Sequence, residues 1–189
     1  RNTSPHIDRL AAEGVLFTQA MSTTSWTLPA HVSMLTGLYP QAHHVLRARE
    51  RLTGRTPTLA EAMSALGYRT AAFVSAPFLT ASYGMARGFD EYDDHTVDYE
   101  SHAESHSGTT SPRIHSAIEQ WLREHGQDPF FVFAHYWDVH YDYAPPPPYD
   151  RMFDPDYEGD LTSQGFENNP LISREMEPRD LAHLEALYD

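Results

Sequence analysis

Thr56-Pro-Thr-Leu-Ala-Glu-Ala-Met-Ser-Ala-Leu-Gly67 runs directly into Tyr68-Arg-Thr-Ala-Ala-Phe-Val74. Leu59, Ala62, Met63 and Leu66 recur at helical spacing, Thr56-Pro57 opens the helix and Gly67 closes it. The seven residues that follow read as a strand. The pattern repeats downstream. Ser111-Pro112 is a second helix start, Ile114, Ile118, Trp121 and Leu122 form its apolar stripe, and Gly126 ends it. Pro129-Phe-Phe-Val-Phe-Ala134 is then apolar without alternation, which predicts a strand covered on both faces. Upstream, Ser4-Pro5 starts a helix with Ile7, Leu10 and Ala11 on one face and Gly14 as its stop, and residues 15–18 (Val-Leu-Phe-Thr) read as a strand entering the sheet. Residues 27–37 carry Pro29 near the start and Gly37 at the end, again a helix. Strands that follow helices after short turns predict an α/β fold, a mostly parallel sheet sandwiched between helices. Two irregular stretches, 90–110 and 138–178, are long enough to be functional or disordered.

Composition narrows the function. The 189 residues are 40% hydrophobic, enough for a core, and neither a repeat nor a linker interrupts them. Thirteen basic against twenty-seven acidic residues give a net charge of -14, so a nucleic-acid or anionic-membrane surface would work against the overall field. No apolar run approaches the ~20 residues that span a bilayer. The absence of Cys removes disulfides, thiolate ligands and a thiol nucleophile. All thirteen basic residues are Arg, so no amine chemistry can come from this chain. A start at Arg1 and an end at Asp189, within a helical pattern, predict a piece of a longer protein.

The sharpest site is Ser25-Trp-Thr-Leu-Pro-Ala-His31. A hydroxyl residue at a helix N-terminus stands where free N–H groups and the macrodipole favour an oxyanion, phosphate or sulfate. By itself Thr27 reads as a helix cap. Leu28, Pro29 and His31 turn the reading toward chemistry.

Residues 2–17 (Asn-Thr-Ser-Pro-His-Ile-Asp-Arg-Leu-Ala-Ala-Glu-Gly-Val-Leu-Phe), Thr27-Leu-Pro-Ala-His-Val-Ser-Met-Leu-Thr-Gly-Leu-Tyr-Pro40, Gly67 to Val74, Gly88-Phe-Asp-Glu-Tyr92 and the run through His135-Tyr-Trp-Asp-Val-His140 resemble the sulfatase family of the alkaline-phosphatase superfamily. The resemblance weakens after about Gly159. It implies a mostly parallel sheet between helices, in agreement with the periodicity. The 1–189 chain then corresponds to part of the catalytic domain, without the first strand and the downstream metal-ligand region.

In that family a Cys or Ser, oxidised to formylglycine, stands two residues before the Pro of a Cys/Ser-x-Pro-Ser-Arg motif, binds a divalent cation and attacks sulfur or phosphorus. Thr27 occupies that position, Pro29 matches, and His31 stands in place of the Arg. A secondary alcohol cannot give an aldehyde, so no formylglycine is expected at Thr27. Relatives in the wider superfamily use an unmodified Thr on a metal, and the resemblance implies that Thr27 is such a nucleophile and metal ligand. A cation (Ca, Mg, Mn or Zn) would lower the hydroxyl pKa and neutralise the transferring group. The family's acidic ligands lie outside this chain, so the segment alone is expected to be inactive.

His140 matches the His of the family's His-x-Pro-Tyr element, which contacts a sulfate or phosphate oxygen and protonates the leaving group; Asp142 replaces the Pro. His31 is expected to orient Thr27 or contact the anion. His135 and Asp138 are expected in supporting or structural roles. The acidic residues Asp150, Asp154, Asp156, Glu158 and Asp160 read as a solvated face, not a calcium loop. His43 and His44 receive no role. Sulfatases place a Lys after the strand matching residues 69–74, but Val74-Ser-Ala-Pro-Phe78 has none, so the anion grip differs. The reading is a metal-dependent hydrolase of a sulfate or phosphate ester, small-molecule or glycan. Its rivals are a phosphoglycerol- or phosphoethanolamine-type transferase and a non-catalytic glycan-binding relative. Resemblance points to the periplasm or the extracellular space.

Overall fold

The computed structural model describes residues 3–54, 56–97, 110–138, 140 and 142–189. Most of the irregular stretch expected at 90–110 lies outside the described residues. The chain forms two compact units, Thr23–Tyr141 and Arg1–Ser22 with Asp142–Asp189.

The Thr23–Tyr141 unit is built on a three-stranded sheet of β1 (Arg69–Phe73), β2 (Glu91–Asp93) and β3 (Phe130–Ala134), in the order β2-β1-β3 and parallel throughout. The register pairs Ala71 with Glu91 on one side and with Val132 on the other. The α/β class therefore holds. Its helices are α2 (Thr27–Thr36), the short α3 (Pro40–His43), α4 (Leu59–Ala65) and α5 (Ser111–His125). One face of the sheet packs Ala71 and Phe73 against Ile114 and Trp121 of α5. The other core gathers Leu28, Val32 and Leu35 of α2 with Val45, Leu52, Val74, Ala76, Leu79, Met85 and Trp137. Alternation along β3 divides its side chains in the same way: Val132 joins the α5 side and Phe133 the α2 side.

Local chemistry explains most boundaries. Helix α4 starts later than the Thr56-Pro57 reading, because Thr58 accepts from the Glu61 N–H while Glu61 accepts from the Thr58 N–H. Gly37 ends α2 in the left-handed region, at φ 69. The short α3 and β2 had no signal in the sequence. The apolar run of β3 packs on both faces, Val132 toward α5 and Phe133 toward α2, but at the edge of the described sheet it is covered only in part, with Phe130 42% exposed, whereas the central β1 is buried along Thr70–Phe73. Uninterrupted apolarity marks a strand capable of being covered, and position in the sheet decides which one is.

In the other unit, α1 (Pro5–Glu13) forms as expected, but its apolar face does not pack: Ile7 and Leu10 are 70% and 71% exposed. Residues 15–18 are not a strand. Backbone donors and acceptors form a strand only against a neighbour, and no described segment pairs with this one. The 142–189 part is irregular apart from short 3-10 turns and α6 (Pro178–Tyr188). The Asp142 carboxylate accepts from the Gly165 and Phe166 N–H groups. Asp154 departs from the solvated-face reading: it makes a two-pronged ion pair with Arg179 and meets His183 Nδ1 at 2.9 Å. The arginine holds its carboxyl down to about 2. Among the described residues no helix is long and apolar enough to cross a membrane.

Candidate active site

Thr27 is the first residue of α2, with extended Trp26 before it, and it is half-buried. Helical geometry leaves the Thr27 and Leu28 N–H groups without an intrahelical acceptor, Pro29 has no N–H, and the Ala30 N–H turns back to the Trp26 carbonyl at 3.3 Å. Leu28 and Pro29 are buried and seat this turn on the core.

His31 lies one turn on, its Nδ1 2.8 Å from the Thr27 carbonyl oxygen. A carbonyl only accepts, so Nδ1 carries the proton and donates, and in the neutral ring Nε2 keeps a bare lone pair. Burial lowers the His31 pKa, and the bond to Thr27 opposes this in part. The neutral ring is therefore a base or a ligand, not a donor to an anion.

β3 supplies the other wall. Just beyond its end, the His135 N–H donates to the Phe73 carbonyl at 2.9 Å and its own carbonyl accepts from Ser75 Oγ at 3.0 Å, so its backbone is tied to the adjoining end of β1. Its ring packs edge-on against His31, with centroids 5.3 Å apart. Its Nδ1 is buried and has no hydrogen-bond partner among the described residues. Burial, with repulsion from His31 and His140, pushes the His135 pKa down to about 4. His140 stacks on Trp137 at 4.0 Å between centroids, and its N–H donates to the Trp137 carbonyl. Trp137 belongs to the same core as Leu28 and Val32.

The structure thus sets His31 of α2 against His135 at the C-terminal end of the parallel sheet, where α/β folds place their sites, and His140, stacked on Trp137, is near enough to His135 to repel it. His135, which sequence reading kept in a supporting role, lies against His31 inside the cluster. Its position immediately after an apolar strand was the available signal. Asp138 instead accepts from the Thr110 N–H and hydroxyl and from the Ser111 N–H, capping the start of α5. His43 is buried, its Nε2 3.0 Å from Ser33 Oγ, while its Nδ1 accepts from the Val45 N–H. It braces α2.

Among the described residues no three His, Asp or Glu side chains gather to hold a metal ion. Thr27 Oγ1 and His31 Nε2 are suitable donors, but these residues by themselves do not compose a divalent-cation site.

Thr27 heads a helix whose His31 packs against His135, just past the end of a parallel strand, and this is the candidate site of the α/β chain. The chain belongs to the sulfatase family, whose model matches residues 1–182. It is 35% identical over 80 residues to an N-acetylgalactosamine-6-O-sulfatase of Bacteroides thetaiotaomicron, covering 36% of this chain and 14% of that protein. It is 40% identical over 68 residues to an ulvan-active sulfatase of Formosa agariphila, covering 36% and 13%. Its fold is similar to that of the phosphonate monoester hydrolase of Agrobacterium radiobacter, with a TM-score of 0.68 at 22% identity over 98% of this chain and 51% of the other. The matched stretches are thus a small part of the curated relatives and about half of the structural one.

Proposed function

We propose that this chain carries the nucleophile end of a hydrolase acting on a sulfate or phosphate ester of a sugar, with Thr27 as the nucleophile. The observation that carries this reading is the position of Thr27: it is the first residue of α2, where two N–H groups lack an intrahelical acceptor, and His31 is bonded to its carbonyl. Family membership supports the ester class, and the names of the relatives support a sulfated sugar. The unmodified secondary alcohol speaks for phosphorus, so both esters belong in the test.

In the proposed reaction Thr27 Oγ1 attacks sulfur or phosphorus and gives up its proton to a base. The bond to the sugar oxygen breaks, and the leaving oxygen takes a proton from His140. Water then cleaves the Thr27 ester, releasing sulfate or phosphate and regenerating the hydroxyl. The free N–H groups of α2 and the helix dipole favour the negative charge of the transferring group. His31, donating to the Thr27 carbonyl, fixes the turn that presents the hydroxyl. The cation dependence implied by the family belongs to the whole protein, and no step is assigned to an ion held by these residues alone.

The test is turnover of nitrophenyl sulfate, phosphate and phosphodiester by the whole protein that contains this chain and by its Thr27→Ala variant, with Mg, Ca, Mn or Zn added and then chelated. Thr27→Ala is expected to lose at least ~1,000-fold in kcat, and chelation to abolish turnover. Undiminished turnover by Thr27→Ala refutes the nucleophile assignment, and turnover indifferent to chelator refutes the cation dependence.

A further inference from the structure

The Thr23–Tyr141 unit contains one segment whose charge opposes that of the whole. Arg47, Arg49 and Arg51 fall within five residues of an acidic chain with a net charge of -14, and Arg55 follows in sequence. All three are exposed, and among the described residues none has an ion-pair partner. Of the other described arginines of the unit, Arg69 is held by Asp128, Arg87 by Glu61 and Arg123 by Glu119, and Arg113 stands alone instead of in a cluster. The one carboxylate within the turn is engaged by backbone, since Glu50 Oε2 accepts from the Leu46 and Arg47 N–H groups at 2.6 and 2.9 Å. Glu50 therefore shapes the turn, its N–H donating to the Arg47 carbonyl, and it feels Arg47 and Arg49 at a distance without closing an ion pair to either.

The turn is anchored at both ends. Val45 and Leu52, on either side, are 2% and 5% exposed and lie in the core that also holds Leu28 and Val32 of α2 and Trp137. The Leu52 N–H donates to the Tyr83 carbonyl, and Gly84 approaches so closely that a Cβ there would lie 2.3 Å from the Leu52 carbonyl oxygen. The arginines are thus carried on a fixed loop that shares its foundation with the helix bearing Thr27. At physiological ionic strength charges are screened beyond ~8 Å, so an anion at this turn meets the guanidinium groups and not the distant acidic surface. Guanidinium forks pair two-pronged with sulfate or phosphate oxygens and keep their charge at any working pH.

We propose that the turn at 47–51 is a docking surface for a sulfated polysaccharide, with Arg47, Arg49 and Arg51 holding sulfate groups of the polymer other than the one at Thr27. The identity of the polymer rests on the proposed ester chemistry; the anion grip does not. A single ester bound at Thr27 leaves this cluster without a partner, whereas a polymer carrying many sulfates offers one to each guanidinium.

Fluorescent dextran sulfate is the probe, with uncharged dextran and duplex DNA beside it, read by anisotropy over a salt series. Arg47→Ser/Arg49→Ser/Arg51→Ser is compared with Arg9→Ser/Arg113→Ser/Arg174→Ser, which removes the same charge from exposed positions elsewhere. The first triple is expected to bind dextran sulfate at least ~10-fold more weakly and to flatten the slope of log affinity against log salt by about two, while the second changes affinity less than ~2-fold. Equal losses in both triples, or no binding by the unaltered chain, overturn the proposal. Equally tight binding of DNA through the same residues overturns the glycan assignment. Because binding is read without turnover, this outcome is separate from that of Thr27→Ala: a chain whose turnover depends on Thr27 but whose turn is indifferent to dextran sulfate loses this proposal alone.

Discussion

Acidification should destabilise the Thr23–Tyr141 unit through His135, and removing that imidazole should flatten the response. The His135 pKa is about 4 in the folded chain against 6.5 for an ordinary histidine. Between those values the unfolded chain binds the proton and the folded chain does not, so stability is complete above pH ~7 and falls as pH drops through the window. From pH ~7.5 to ~4.5 the linkage relation gives a loss of about 2–3 kcal/mol from this group. In His135→Phe that loss disappears. All three tryptophans, Trp26, Trp121 and Trp137, lie in this unit, so urea unfolding followed by Trp fluorescence reports on it alone. Comparing each protein with itself at the two pH values cancels any packing change from the substitution. Asp154 does not interfere, because a carboxyl held down to about 2 loses its contribution only below the ordinary value of 3.8. Parallel stability-against-pH curves for the two proteins would refute the reasoning.

Three further outcomes follow from particular contacts. Gly88→Ala should cost more than about 2 kcal/mol in urea unfolding, since Gly88 has φ +83 and a Cβ there would stand 2.3 Å from the Glu61 N–H nitrogen; a loss below about 0.5 kcal/mol would contradict this. Asp138→Asn should destabilise by about 1–2 kcal/mol, because an amide cannot accept at both positions from Thr110 and Ser111. Leu28→Ala should cost about 2–5 kcal/mol by opening a cavity beneath the turn that carries Thr27, and should depress turnover as well, with both effects read on the same preparation.

The order of helix and strand was written in local spacing. Helices α2, α4 and α5 with strands β1 and β3 follow from apolar periodicity and from Pro and Gly at the ends, because those preferences act within a few residues. Thr27 and His31 were legible for the same reason, as neighbours on one helical turn. What the sequence alone did not decide was coverage and company. β3 and residues 15–17 are equally apolar, yet one pairs with β1 and the others remain exposed, since pairing depends on which segment arrives alongside. His135, Asp138 and His140 lie within six residues and look alike as polar candidates. The fold sends His135 against His31, ties Asp138 to the start of α5 and stacks His140 on Trp137. Helix and turn propensities are properties of neighbours along the chain, whereas the partner of a buried imidazole or carboxylate is set by contacts across many residues, and only packing creates those.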